Sequence, residues 1–153
     1  EGVGKIVSAL DHLNLMNDTL FIFTADHGLS LGQHGFWGHG AATFPSNLHR
    51  AAHSIPLIIK NGKDTKVGKR SKLMVSNMDI FSTILDITGC VAADTGPVVP
   101  SRSRLPILNE FSDNWGEDAV YSEQEETRVV RTQKYAFFKR FKNIPSVCKR
   151  QFP

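Results

Sequence analysis

The sequence predicts an α/β fold, and three observations carry that expectation. Val3, Ile6, Val7, Leu10 and Leu13 recur at three- and four-residue spacing, the period of an amphipathic helix over residues 3–16. Leu20 to Thr24 then form a short apolar run, the mark of a strand buried on both faces as in a parallel sheet. A second such run at 55–59 is followed by a second amphipathic stretch at 76–88.

The elements follow in order. Asn17-Asp18 breaks the first helix. Residues 25–54 hold five glycines and five of the six histidines without any period. A loop of that length is rare in a compact domain unless it has work to do. Ile55 to Ile59 reads as a strand, with Pro56 near its start, where proline is tolerated. "KNGKDTKVGKR" is a polar loop. In the helix at Ser76–Thr88, Ser76 is placed to cap with Asp79 three positions on, a variant of the capping box. Ile80, Phe81, Ile84 and Leu85 make its apolar face, and Gly89 stops it. Residues 90–118 read as irregular. "AVYSE", "TRVVRT" and "KYAFFKRF" read as strands, the last two paired through a turn near Thr132-Gln133.

The 153 residues are one domain's worth by length, and 41% hydrophobic with 22% charged residues fits a globular protein able to bury a core. No apolar window is long enough for a membrane span, so no membrane partner is expected. The formal charge of +3 is partly local, in Lys139, Arg140, Lys142, Lys149 and Arg150. Without an aromatic-interleaved RNA motif or a helix-turn-helix signal, that run reads as a solvated hairpin and tail, and no nucleic acid partner is expected. Cys90 and Cys148 fix neither a disulfide framework nor a compartment. "EGVGKIVSAL" lacks an initiator Met and reads as mid-helix sequence cut from a longer chain, with no signal peptide visible.

The chemistry gathers after the first strand. Ligands of open α/β sheets collect beyond the carboxyl ends of the strands. Asp26 and His27 would stand there, a carboxylate and an imidazole able to anchor a divalent cation, with Gly28 letting the chain turn away. Read locally, the same dipeptide is also a hydrogen-bonded turn.

"TADHGLSLGQHGFWGHG" resembles the C-terminal metal-binding signature of the sulfatases, in the alkaline phosphatase superfamily. "SIPLIIK" is similar to the family strand R-V-P-L-I-I, and "VSNMDIFSTILDITG" to the helix V-S-x-x-D-L-x-P-T-L-L-D-L-A-G, with Ser82 where Pro is usual. "TRVVRTQKYAFFKR" resembles the C-terminal hairpin R-x-V-R-T-x-x-Y-K-Y, whereas the tail "KNIPSVCKRQFP" departs from the family's continuation. The resemblance implies an alkaline phosphatase-like sandwich, a central largely parallel sheet flanked by helices. It assigns residues 1–108 to the C-terminal half of the catalytic domain and 109–153 to a small antiparallel β subdomain and tail.

Carried over residue by residue, the resemblance makes Asp26 and His27 metal ligands. Calcium is the family's first expectation; the imidazole also suits manganese or zinc. His39 stands twelve positions after His27, where sulfatases carry a Lys that grips the sulfate and the leaving oxygen. A protonated imidazole there still donates to a sulfate oxygen and can act as a general acid, so His39 is the expected catalytic and substrate-binding residue; a loop histidine without a role is the alternative. His34 reads as structural. Trp37 reads as an apolar plug or the wall of a sugar subsite, and His49 and His53 as lying on a helical turn facing solvent or a cleft. "FPSNLHRAAHS" departs from the usual Y-E-E-S-x-R, which leaves the substrate class open.

The family's formylglycine nucleophile arises in C-x-P-S-R. "VVPSR" is a decoy, since Val98 has no group to oxidise, and the family's two N-terminal metal aspartates have no counterpart here. The expectation is a sulfatase-like hydrolase fragment, inactive alone, whose parent cleaves sulfate esters of small molecules or carbohydrates and is secreted, periplasmic or lysosomal. Its partner is the missing N-terminal half, which brings the formylglycine. The alternatives are a phosphonate or phosphate ester hydrolase of the same superfamily and a non-catalytic metal-binding pseudo-enzyme.

Overall fold

The computed structural model describes residues 1–43, 45–62, 68–90, 101–110 and 119–141. These form two units, one of Glu1–Thr24, Pro56–Leu73 and Asn77–Trp115, the other of Ala25–Ile55, Met74–Ser76 and Gly116–Pro153. No helix among the described residues is long and apolar enough to cross a membrane.

In the first unit, helix α1 (Gly2–His12) ends four residues short of the expected boundary. The cause is local. Asn14 adopts a left-handed φ of 55°, Leu15 N donates to Leu10 O and Asn14 N to Asp11 O. That is a Schellman closure with Asn in the place of Gly. A 3-10 turn at Met16–Asp18 leads into strand β1 (Leu20–Thr24).

Strand β1 pairs with β4 (Leu57–Asn61), from Leu20 opposite Asn61 to Thr24 opposite Leu57. The pairing is antiparallel, as is every ladder among the described residues, which corrects the expected parallel arrangement within this chain. An apolar run reports which faces are covered; it carries no information on strand direction. Neither strand holds a fully buried residue, and Ile58 is 57% exposed. Helix α1 likewise buries nothing, with Ile6 also 57% exposed.

Helix α3 (Asp79–Thr88) starts three residues later than expected. Met78 is its N-cap and makes no side-chain cap bond. Asp79 is buried and bound to residues distant in sequence. Arg104 Nε and Nη2 donate to its Oδ2 at 2.9 and 2.6 Å, and Arg102 N to its Oδ1 at 3.0 Å. Thr83 Oγ1 donates to Asp79 O at 2.6 Å and accepts from Arg104 N at 2.9 Å. Gly89 ends the helix at φ 67°, as its sequence predicts, with Cys90 N reaching Leu85 O. Helix α4 (Leu105–Glu110) lies in a stretch the sequence reads as irregular. Residues 98–100 of the decoy motif and the basic tail from Lys142 onward lie outside the described residues.

The second unit turns the histidine-rich stretch into short pieces. Strands β2 (Ser30–Leu31) and β3 (Trp37–Gly38) pair antiparallel, and helix α2 (Arg50–His53) is a single turn. Strands β5 (Val120–Gln124), β6 (Thr127–Arg131) and β7 (Ala136–Arg140) form an antiparallel meander. The expected turn is present, with Thr132 N donating to Tyr135 O and Tyr135 N to Thr132 Oγ1. Leu48, Ala52 and Val129 are the buried apolar residues, beside the buried polar Ser30, Ser46, Asn47 and Thr127.

Glu126, in the β5–β6 turn, ties the meander to the loop. Its carboxylate accepts from Ser46 N at 2.7 Å, Ser46 Oγ at 3.2 Å and Thr127 Oγ1 at 3.0 Å. Burial pushes its carboxyl pKa up, but these hydrogen bonds and one from its own N–H outweigh burial and hold it below the ordinary value of 4.5. A depressed carboxylate pKa stabilises the fold above the unfolded value and loses that contribution as pH falls through the folded one. Glu126→Gln is therefore expected to lower stability by about 1 kcal/mol at neutral pH. Denaturant midpoints should show that gap closing as the pH drops below 4.5; a gap that persists in acid would reject the assignment.

Candidate active site

Thr24 ends β1, and two residues later the chain presents Asp26. The Asp26 side chain is 86% exposed and the His27 side chain 47%. Asp26 Oδ1 accepts from His27 N at 2.8 Å, which folds the carboxylate back toward the ring. His27 Nδ1 lies 2.8 Å from Gly28 O. A carbonyl only accepts, so Nδ1 carries a proton, and in the neutral ring the lone pair is left on Nε2. That lone pair stands 3.7 Å from Asp26 Oδ2. With the ring neutral, these two acceptors suit a shared cation. A backbone bond on the far ring nitrogen is also how metal-binding histidines are held.

Gly28 is there for a steric reason. Its N donates to Ala52 O at 2.9 Å, and a Cβ would run into the Ala51 carbonyl. Helix α2 thus braces the backbone next to His27. His39 follows β3, and its ring centroid lies 4.9 Å from that of His27 at an interplanar angle of 36°. The structure therefore gathers Asp26, His27 and His39 on one exposed surface of the second unit. Among the described residues, no three His, Cys, Asp or Glu side chains form a metal cluster.

The other loop residues separate from this group. Trp37 is 66% exposed, so it is not a buried plug; its ring covers Gly32, where a Cβ would come within 3.2 Å of it. His34 has a left-handed φ of 56°, and its ring stacks on His49 at 4.5 Å. His49 also meets Phe36 at 5.3 Å and Phe138 of β7 at 5.2 Å. His53 Nε2 donates to Asn47 O at 3.2 Å.

Sequence reasoning missed Asn47, which is 1% exposed. Its N donates to Gly40 O, its Nδ2 to Ser30 Oγ at 2.8 Å, and its Oδ1 accepts from His49 N at 3.0 Å. The only signal pointing to this stretch is its departure from the family pattern in "FPSNLHRAAHS".

Burial, then charge repulsion with His34, Arg131 and Arg140, lower the His49 pKa from 6.5. His53 is lowered from the same value by burial and by Arg131 and His27, against the opposing bond to Asn47. Neutral rings are thus favoured in the folded state. Their contribution is complete above 6.5 and lost as pH falls through the folded values. Stability is expected to decline on acidification below 6.5, and His49→Phe, which keeps the ring stack, should flatten that decline. Equal slopes for the two proteins in pH-dependent denaturation would refute this.

The sequence model of the sulfatase family matches residues 1–90. Human N-acetylglucosamine-6-sulfatase is 31% identical over 129 residues, 84% of this chain and 22% of that protein. BT4656, solved in complex with its substrate D-glucosamine-2-N,6-O-disulfate, superimposes with a TM-score of 0.77 at 22% identity, over 93% of this chain and 29% of that one. The phosphonate monoester hydrolase of Silicibacter pomeroyi does so at 0.77 and 23%, over 90% and 29%. At such identities the two structures speak for the alkaline phosphatase-like fold alone. The chain covers about a fifth of the length of the curated relatives it matches. With the match extending over more than half of its residues, the chain belongs to the sulfatase family of the alkaline phosphatase superfamily.

Proposed function

We propose that this chain supplies part of the active site of a metal-dependent sulfatase that cleaves sulfate esters of carbohydrates or small molecules. The observation that carries the reading is the juxtaposition of Asp26, His27 and His39. Asp26 and His27 hold one side of a divalent cation. Their oxygen and nitrogen, 3.7 Å apart, fit adjacent ligands of an ion with bond lengths of about 2.0–2.6 Å. Calcium is the family's expectation, and the ring nitrogen leaves manganese and zinc open. Bound there, the ion would neutralise charge developing on the ester. His39 donates to a sulfate oxygen and protonates the leaving oxygen.

The remaining ligands and the formylglycine nucleophile come, in this reading, from an N-terminal part of the same catalytic domain. The uncovered apolar faces of the first unit support it. Val3, Ile6, Val7, Phe23, Ile58, Phe81 and Ile84 are all more than a third exposed, and a two-stranded ribbon such as β1–β4 is marginal without further cover. In the whole domain the ribbon would join a larger, largely parallel sheet. The identities of the relatives favour a sulfated sugar, N-acetylglucosamine-6-sulfatase among them.

The test is hydrolysis of p-nitrophenyl sulfate and p-nitrophenyl phosphonate by full-length protein carrying this chain, with and without chelator. Chelator-sensitive sulfate turnover supports the proposal. Preferential phosphonate turnover would favour the second reading, a phosphonate or phosphate ester hydrolase, for which His39 in place of Lys and the fold of the Silicibacter enzyme speak. No turnover of either, with tight zinc binding, would favour a pseudo-enzyme. His39→Ala is expected to slow esters with poor leaving groups on the order of 10²-fold and good ones much less, the size of a general-acid contribution. An equal loss on both would overturn that role.

A further inference from the structure

We infer that His53 is a positioning residue of this site, fixing the backbone from which His39 meets His27. The inference rests on the proposed function for its significance, but its geometry stands apart. His53 Nε2 donates to Asn47 O at 3.2 Å, while Asn47 N donates to Gly40 O at 2.9 Å, so Gly40 and His53 are held from one buried residue. Gly40, next after His39, is itself buried, and its backbone lies directly against the His53 ring. A Cβ there would stand 3.2 Å from His53 Nε2 and 3.0 Å from Asn47 O. A side chain at 40 would therefore force the His53 ring or the Asn47 carbonyl to give by a few tenths of an ångström.

The same helical turn acts on the other histidine. Ala52, fully buried and next to His53, accepts the Gly28 N–H at 2.9 Å, and Gly28 follows His27. Helix α2 is thus tied directly to the residue after His27 and, through Asn47, to the residue after His39. His39 O also accepts from Ala42 N, which closes the turn behind its ring. Removing the His53 donor unties α2 from Asn47, which keeps its own bond to Gly40, and leaves the Gly28 tie in place, so the two rings lose their common anchor.

The test uses the whole 153-residue chain and nuclear Overhauser cross-peaks between the ring protons of His27 and His39. They are expected in the wild type, lost in His53→Leu and His53→Asn, and retained in His53→Gln, whose amide nitrogen reaches where Nε2 lies. Amide shifts of the β5–β7 meander should stay unchanged throughout. A cross-peak retained in His53→Leu overturns the proposal, and so does its loss in all three variants. Unfolding of the meander in His53→Leu would make the residue a general core brace and overturn it equally. Because neither substrate nor metal is present, a failure to hydrolyse sulfate esters does not bear on the result, and a lost positioning role leaves the hydrolase reading untouched.

Discussion

Asp26→Ala is expected to reduce metal-dependent ester hydrolysis by the full-length protein on the order of 10³-fold, while the fold stays as stable as before. The separation of the two effects follows from where the carboxylate sits. Its side chain is 86% exposed, and its recorded protein contacts are the neighbouring His27 N–H and ring. Surface changes of that kind shift stability by about 0.5 kcal/mol or less. The cation, by contrast, loses its hardest donor from this chain and keeps a neutral nitrogen that binds calcium poorly. Asp26→Asn retains an oxygen and the backbone bond without the charge, so it should fall between the two, with part of its loss recovered at high metal concentration. Steady-state kinetics across a metal titration, beside denaturation curves, decides the matter. Activity within a few-fold of wild type in Asp26→Ala would remove the carboxylate from the site.

Much of the architecture was legible because it depends on residues close in sequence. The greasy runs at 20–24 and 55–59 became β1 and β4, the alternating stretches after residue 119 became the meander, and Gly89 ended its helix as a left-handed closing residue. Properties set by distant partners were not legible. Strand direction in β1–β4 depends on how the connection returns. Asn14 closes α1 early because Asn also accepts a left-handed φ, a signal weaker than Gly would give. At the candidate site, the Asp26–His27 dipeptide alone is a weak sign, and only the family resemblance drew His39 toward it. His53 and Asn47 carried no local signal, since their contacts to each other and to Gly40 require the chain to have folded.

Asp79 shows what a local pattern leaves out, and it leads to the largest expected effect on stability. Three positions after Ser76 it reads as part of a helix cap, and its carboxylate pairs with a guanidinium twenty-five residues away. The Asp79 and Arg104 side chains are only 6% and 4% exposed. A buried pair of this sort is roughly neutral against a well-packed apolar substitute, but removing one partner leaves a desolvated charge and costs about 3–5 kcal/mol. Against a total stability of about 5–15 kcal/mol, Asp79→Ala should bring the first unit close to unfolding. The loss is compounded because the other carboxylate oxygen holds Arg102 N. Arg104→Met adds little once Asp79 is gone, so the double variant should be far less destabilised than the sum of the singles. It should not return to wild type, because Arg102 N has still lost its acceptor and Thr83 Oγ1 still needs Arg104 N in register. Amide exchange in α3, read alongside denaturant unfolding, separates these outcomes. Additive losses, or a cost below about 1 kcal/mol for Asp79→Ala, would mean that the pair is solvated in solution and that α3 is held by its apolar face instead.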